Sequence, residues 1–232
     1  MKYGIICAME EEIRMLRDNL QNLQEQEYGK IVFYSGQIND NEVVLVRSGI
    51  GKVQAGVVTA LLAVNYHVDC VINSGSAGGI GAGLHVGDLV LSTMAAYHDA
   101  DATAFGYEPG QLPQQPQRFA ADPALRAKIS QAAQATGWHI QEGLIVSGDQ
   151  FVSSQAQIQA IKAIYPEALC CEMEGAAIAQ VAHQFQLPFV IVRAMSDVGD
   201  EDAGQSFDEF ILEAGKRSAQ MILQMLAVKK GE

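Results

Sequence analysis

The feature that most limits the possible folds is a repeated couplet, in which a short apolar run is followed by a stretch with helical spacing. YGIICA near the start precedes EEEIRMLRDNL, where Ile13, Leu16 and Leu20 fall on one helical face. DCVINSG, GDLVLSTMAAYHDA, GLIVSGD and FVIVRAMSD are further runs of this kind, and LCCE leads directly into MEGAAIAQVA. Helical patterns cover residues 52–66, 122–137, 155–164 and 207–229. Continuous apolar runs suit strands buried on both faces, which is the condition of a parallel sheet covered by helices. One pair departs from the pattern: IVFYSGQI and EVVLVRSG, joined through Asn39-Asp40-Asn41, read as an antiparallel hairpin. The expectation is an α/β fold with a largely parallel central sheet. No internal repeat or linker divides the chain, so residues 1–232 are expected to form a single domain.

Composition narrows the function. Nearly half the residues are hydrophobic and 18% are charged, which supports a large core and argues against disorder. A net charge of -12 disfavours nucleic acid or an anionic membrane as partner. Cys7, Cys70, Cys170 and Cys171 lie within apolar runs and form no CxxC, as expected of reduced core thiols in a cytoplasmic protein. The N-terminal apolar run is too short and too closely followed by acids for a signal peptide, and no apolar segment is long enough to span a bilayer. Residues 105–119 carry three prolines, two glycines and no periodicity. Such a long excursion within a compact chain is usually functional or lies at an interface.

In folds of this class, ligands bind beyond the carboxyl ends of the strands. The residues following successive strands are Met9 to Glu12, Ser48 to Gly51, GSAGGIGAG, Ser147 to Phe151, Glu172 to Glu174, and Arg193 to Asp197. Acids, hydroxyls and glycines gather there with a single arginine, which describes a site for a polar, largely uncharged ligand. Each acid also has a plainer reading. Glu10 to Glu12, Glu172 and Glu174 suit helix starts, and Asp197 suits an N-cap. Convergence at one rim favours the functional reading.

Other chemistries fit less well. The glycine-rich segment lacks the dinucleotide fingerprint, because Val86 stands where its third glycine belongs. Gly51 and Gly56 have Walker spacing, but Val57 replaces the lysine. This leaves open either a tight turn or a backbone passing close to a ligand, with Ser76 offering a hydroxyl. No G-x-S-x-G elbow surrounds Ser76. His98-Asp99-Ala100-Asp101 has no further ligand spacing to make a metal site, and neither a metal nor a cofactor is expected.

AMEEE, SGIGKV (48–53), NSGSAGGI (73–80), HDAD…FGYEPGQLP (98–113), SGDQFV (147–152), EMEG (172–175) and RAMSDVGD…SFDEF (193–210) together resemble the bacterial 5′-methylthioadenosine/S-adenosylhomocysteine nucleosidases. The likeness runs from end to end in matching order. It implies a nucleoside phosphorylase-like fold: a central mixed β-sheet, partly closed as a barrel, flanked by α-helices and assembled as a homodimer. It implies hydrolysis of the bond between adenine and ribose in 5′-thioadenosines, a small-molecule substrate class.

By this resemblance Asp197 matches the acid that protonates adenine N7, and it must be kept protonated by burial and hydrogen bonding. Glu12 matches the residue that positions and deprotonates water, with Arg193 and Ser76 placed to help hold it. Glu174, beside the backbone of Met173, matches the acceptor for the ribose hydroxyls. Glu172 would buttress it or reach the ribose from behind. Phe151 would stack on adenine and the backbone of Val152 pair with its edge, while Gly78 lines the pocket and Ser196 belongs to the substrate-binding set. Met9, Ile50, Met173 and Phe207 would surround the 5′ substituent, where soft thioethers suit a sulfur. Phe105, Tyr107 and Pro113 would close the partner subunit's pocket.

Cys171, Gly175 and Ala102 depart from the usual pattern, the last suggesting a roomier 5′ pocket. Three rival readings remain: a phosphate-dependent nucleoside phosphorylase, an aminodeoxyfutalosine nucleosidase, and a nucleoside-binding module without catalysis. A phosphorylase would need several arginines around its phosphate, and Glu12 would repel it.

Overall fold

The computed structural model describes residues 1–198 and 203–228. In chain order the elements are β1 (Lys2–Cys7), α1 (Glu10–Asp18), β2 (Gln21–Tyr28), β3 (Ile31–Ile38), β4 (Asn41–Arg47), α2 (Lys52–Leu61) and β5 (Cys70–Gly79). There follow β6 (Leu89–Tyr97), β7 (Phe119–Ala120), α3 (Pro123–Thr136), β8 (Ile140–Ser147) and α4 (Gln155–Ile164). The chain ends with β9 (Ala168–Glu172), α5 (Gly175–Gln184), β10 (Phe189–Asp197) and α6 (Ala203–Ala227).

All these strands join one mixed sheet, but its two parallel groups run in opposite directions. β4, β1, β5 and β10 are mutually parallel, and so are β6, β8 and β9. The groups meet antiparallel twice, at β10–β6 and at β5–β9. Those two seams close β5, β10, β6, β8 and β9 into a ring, the partial barrel expected from the resemblance. At the second seam only Gly78↔Cys171 and Gly79↔Cys170 pair, so the carboxyl ends of β5 and β9 overlap head-on. That overlap brings the chain ends of both groups to one place.

The apolar runs behave as the pattern requires. Every residue of β10 is buried, and so is nearly all of β5, with α6 packed across both. The β3–β4 hairpin turns through Asn39 and Asp40, with Asn39 in the left-handed region that asparagine tolerates. Asp122 caps α3 by accepting from the Leu125 amide, and Gly137 ends it at φ +70°.

Several elements differ from the sequence expectation. β2, QNLQEQEY, has no apolar alternation and is almost wholly exposed; it is an edge strand held by pairing with β3, and its charges discourage further pairing. β5 continues through the glycine segment to Gly79 instead of ending at Gly75, because it stays paired with β10 as far as Gly78 and with β9 at Gly78 and Gly79. α6 begins at Ala203 rather than at Phe207, and its anticipated end at Lys229 lies outside the described residues.

Candidate active site

A cavity opens where the strand ends converge. It takes Ala8, Met9 and Glu12 from the end of β1 and the start of α1, and Ile50 from the loop before α2. Ser76, Ala77 and Gly78 come from β5, and Gln150 to Val152 from the segment after β8. The end of β9 adds Cys171 to Glu174, β10 adds Ser196 and Asp197, and α6 adds Phe207. Thus Glu12, Glu174, Asp197, Glu172, Met173, Val152, Phe151, Gly78, Ser76, Met9, Ile50, Ser196 and Phe207 all stand on one wall or another of the same cavity.

Glu12 is 1% exposed and receives donors on both oxygens. Oε2 accepts from the amides of Ala8 and Met9 at 2.8 and 3.1 Å, and Oε1 from the amide and hydroxyl of Ser76, each at 3.0 Å. The helix-start reading of this acid therefore holds alongside its place in the cavity. One oxygen fixes the entry of α1, and the other reaches across to β5.

The two glutamates at the seam of β9 and α5 divide their work. Glu172 accepts from the amides of Glu174 and Gly175, from Ser147 Oγ and from Arg193 Nη2. Its oxygens are occupied with capping α5 and balancing the arginine, so it buttresses the wall on which it stands. Glu174 is 3% exposed; Oε1 accepts from the Gly51 amide at 2.9 Å and Oε2 lies 3.4 Å from Arg193 Nη2. Burial, and next the nearby Glu172 carboxylate, push its pKa up to about 7 against the pull of Arg193 and the Gly51 amide.

Arg193 is fully buried and lies behind the lining rather than on it. Its Nη2 faces Asn73, Glu172 and Glu174. Burial opposes its charge, but the surrounding carboxylates outweigh this and raise its pKa. Asp197 is 2% exposed and accepts at Oδ2 from Ser196 Oγ at 2.9 Å. A Cβ on Gly78 would sit 2.8 Å from Asp197 Oδ1, so glycine there makes room for the acid. Of the two readings left open for the glycine segment, close approach fits its first half, where β5 is still extended, and a turn fits Gly81 to Gly83, the last at φ +77°.

Phe151 and Phe207 meet edge to face across the mouth, their ring centroids 5.6 Å apart. Burial first, then Asp197, push the Cys171 thiol up to about 12, leaving a small apolar wall beside Asp197. Phe105, Tyr107 and Pro113 lie outside this chain's own cavity, as does Ala102. Phe105 is 82% exposed.

Sequence reading gave no role to the supports of the site, although Ser147 stood among the residues after its strand and Asn73 and Lys52 within the family-like motifs. Ser147 and Asn73 are completely buried polar residues within apolar strands, and that misfit was their available signal. Lys52 gave none. Its ammonium lies 2.7 Å from Asp99 Oδ2, its amide donates to Asp149 Oδ1 at 2.9 Å, and the Asp149 amide donates to Asp99. Burial pulls Asp99 upward, but Lys52 and the Asp149 amide hold its pKa below the ordinary 3.8.

The phosphorylase superfamily model matches residues 2–227. A 5′-methylthioadenosine/S-adenosylhomocysteine nucleosidase of Actinobacillus succinogenes is 48% identical over 227 residues, spanning 98% of this chain and 99% of its own. The crystal structure of the Neisseria meningitidis nucleosidase with methylthio-immucillin-A superposes with a TM-score of 0.96 at 47% identity, covering 97% of this chain and 98% of that one. A Streptococcus pneumoniae MTA/SAH nucleosidase in complex with 8-aminoadenine gives 0.94 at 50% identity, with 97% and 99% covered. Sequence, fold and the order of the cavity residues agree: the chain belongs to the phosphorylase superfamily and, within it, to the 5′-methylthioadenosine/S-adenosylhomocysteine nucleosidases.

Proposed function

We infer that this chain hydrolyses the N-glycosidic bond of 5′-methylthioadenosine and S-adenosylhomocysteine, releasing adenine with 5-methylthioribose or S-ribosylhomocysteine. The observation that carries the reading is the meeting of three buried carboxyl groups, Glu12, Glu174 and Asp197, in one cavity with different partners. In this reading Asp197 gives its proton to N7 of adenine as the C1′–N9 bond lengthens, so the base leaves neutral. The ribose develops oxocarbenium character, which nearby carboxylates stabilise. Water held at Glu12 and Ser76 attacks C1′ and passes its proton to Glu12. Glu174 accepts from the ribose hydroxyls, and Arg193 acts from behind by fixing Glu172 and Glu174. Phe151 and Val152 hold the base, and Met9, Ile50, Met173 and Phe207 the 5′ substituent.

The cavity lining speaks against phosphate as the nucleophile. It contains no lysine, arginine or histidine among the described residues, and the nearest guanidinium faces carboxylates. Incubating purified protein with methylthioadenosine in phosphate-free buffer, followed by chromatography, tests the reading directly. Free adenine supports hydrolysis. Release that requires phosphate transfers the chain to the phosphorylases, and no release under either condition leaves a binding module.

A homodimer is part of the proposal. Val53, 77% exposed, and Val57, 45% exposed, flank a groove completed by Leu112, Ala177 and Val181. The loop carrying Phe105, Tyr107 and Pro113 begins beside it and has no role at its own cavity, which supports its closing a second copy's site. All ten strands belonging to one sheet supports a single domain over residues 1–232. No described helix is long and apolar enough to cross a membrane. The four free, buried thiols favour the cytoplasm.

A further inference from the structure

A second groove leaves the active-site cavity between Met9 and Ile50, two of the residues placed around the 5′ substituent; both line the cavity and the groove alike. Beyond them its walls are charged. Arg47 and Lys30 supply cations, and Glu10 and Glu11, at the start of α1, supply carboxylates. These charges are unevenly engaged. Glu10 is paired with Arg17 at 2.7 Å, whereas Arg47 comes only to 4.0 Å of Glu10 and remains 57% exposed. Lys30 and Glu11 take part in none of the ion pairs seen among the described residues. An apolar gate opening onto charges of both signs, of which only Glu10 is closely paired, is suited to a ligand that is apolar first and zwitterionic farther out.

We propose that this groove binds the amino-acid tail of a 5′-homocysteinyl nucleoside, its α-carboxylate against Arg47 and Lys30 and its α-ammonium against Glu11. The assignment rests on the nucleosidase reading above and identifies which residues distinguish its two substrates. The α-carbon of such a tail stands two methylenes beyond the sulfur, about 4 Å of extended chain, which carries it past Met9 and Ile50 into the charged section. A 5′-methylthio group ends at the gate and meets none of these charges. Arginine and carboxylate form the charge-assisted pair with the best matched geometry, and the ammonium requires an acceptor such as Glu11.

The test compares affinities for S-adenosylhomocysteine and methylthioadenosine by calorimetry in an Asp197→Asn background, where turnover does not intervene. Arg47→Ala combined with Lys30→Ala is expected to lower the homocysteinyl-to-methylthio affinity ratio about five- to tenfold, the scale of partly exposed charge pairs. Arg47→Lys with Lys30 intact is expected to retain most of the ratio, and added salt to erode it only while the cations are present. A ratio unmoved by the double substitution overturns the groove assignment. Adenine release by the unmutated chain is assayed in parallel and bears on the hydrolase reading alone, so the two inferences fail separately.

Discussion

A methyl group at position 75 would collide with Arg193 Nη1 and sit 2.8 Å from Glu12 Oε1. The arginine cannot easily yield, because Asn73, Glu172 and Glu174 hold its other nitrogen in a fully buried setting. Gly75→Ala is therefore expected to cost about 1–3 kcal/mol of stability, as overpacking does, and to slow adenine release at least tenfold by displacing Glu12. Thermal unfolding and an activity assay check this; unchanged values in both would show that the arginine has room to move. Glu174 carries a second prediction. Its folded pKa of about 7 exceeds the ordinary 4.5, so between these values the folded chain holds a proton that the unfolded chain has lost. Its contribution to stability is thus fullest below about 4.5 and is lost as pH rises through about 7. Melting temperature followed from pH 5 to 8 should fall relative to that of Glu174→Gln. Parallel curves for the two proteins would contradict the raised pKa.

Among the elements, the segment after β8 depends on a neighbour for its position. Phe151 and Val152, the proposed wall for the base, follow Asp149, which accepts from the Lys52 amide at the start of α2 and donates its own amide to Asp99, with the Lys52 ammonium lying between the two carboxylates. The same helix start supplies the Gly51 amide to Glu174. The Lys52 ammonium therefore braces the spacing between the proposed base wall and the proposed ribose acceptor. Lys52→Ala is expected to release about 1 kcal/mol of this ordering, seen as roughly a fivefold rise in KM with a smaller change in kcat. Steady-state kinetics decide it, and an effect confined to kcat would place Lys52 elsewhere in the mechanism. β2 illustrates the opposite case, an element with hardly any inward face. Its polar residues carry no periodic signal, and its strand geometry comes from hydrogen bonding to β3.

For the molecule as a whole, the proposed homodimer would connect assembly to activity through the exposed groove at α2 and the loop of residues 98–118. Val53→Asp places a charge at the most exposed valine of that groove, where a partner surface would have to desolvate it. Sedimentation is expected to show a shift from dimer to monomer, with activity falling at least tenfold as Phe105, Tyr107 and Pro113 of a second copy are withdrawn. A monomeric wild-type protein with full activity would remove the partner loop from the account. Ring closure is also a property of this scale. The head-on overlap of β5 with β9 arises because the two parallel strand groups oppose each other, and it places Gly78 beside Cys171 next to Asp197.

The couplets of apolar run and helical spacing were sufficient by themselves to establish the α/β class, most element positions and the strand ends where chemistry collects. Such patterns arise within a few residues, where burial and backbone hydrogen bonding act locally. The end-to-end likeness of motifs such as SGDQFV and EMEG made the family legible as well. Which acid does what was a tertiary matter. Glu172 and Glu174 are two positions apart and chemically identical, yet one accepts from two backbone amides, Ser147 and Arg193 while the other accepts from the Gly51 amide and lies 3.4 Å from Arg193. The Lys52 network, the closed ring and the charged groove beyond Met9 join residues distant in the chain. Contacts of that kind have no local periodicity to announce them, because their energies exist only once the sheet has closed.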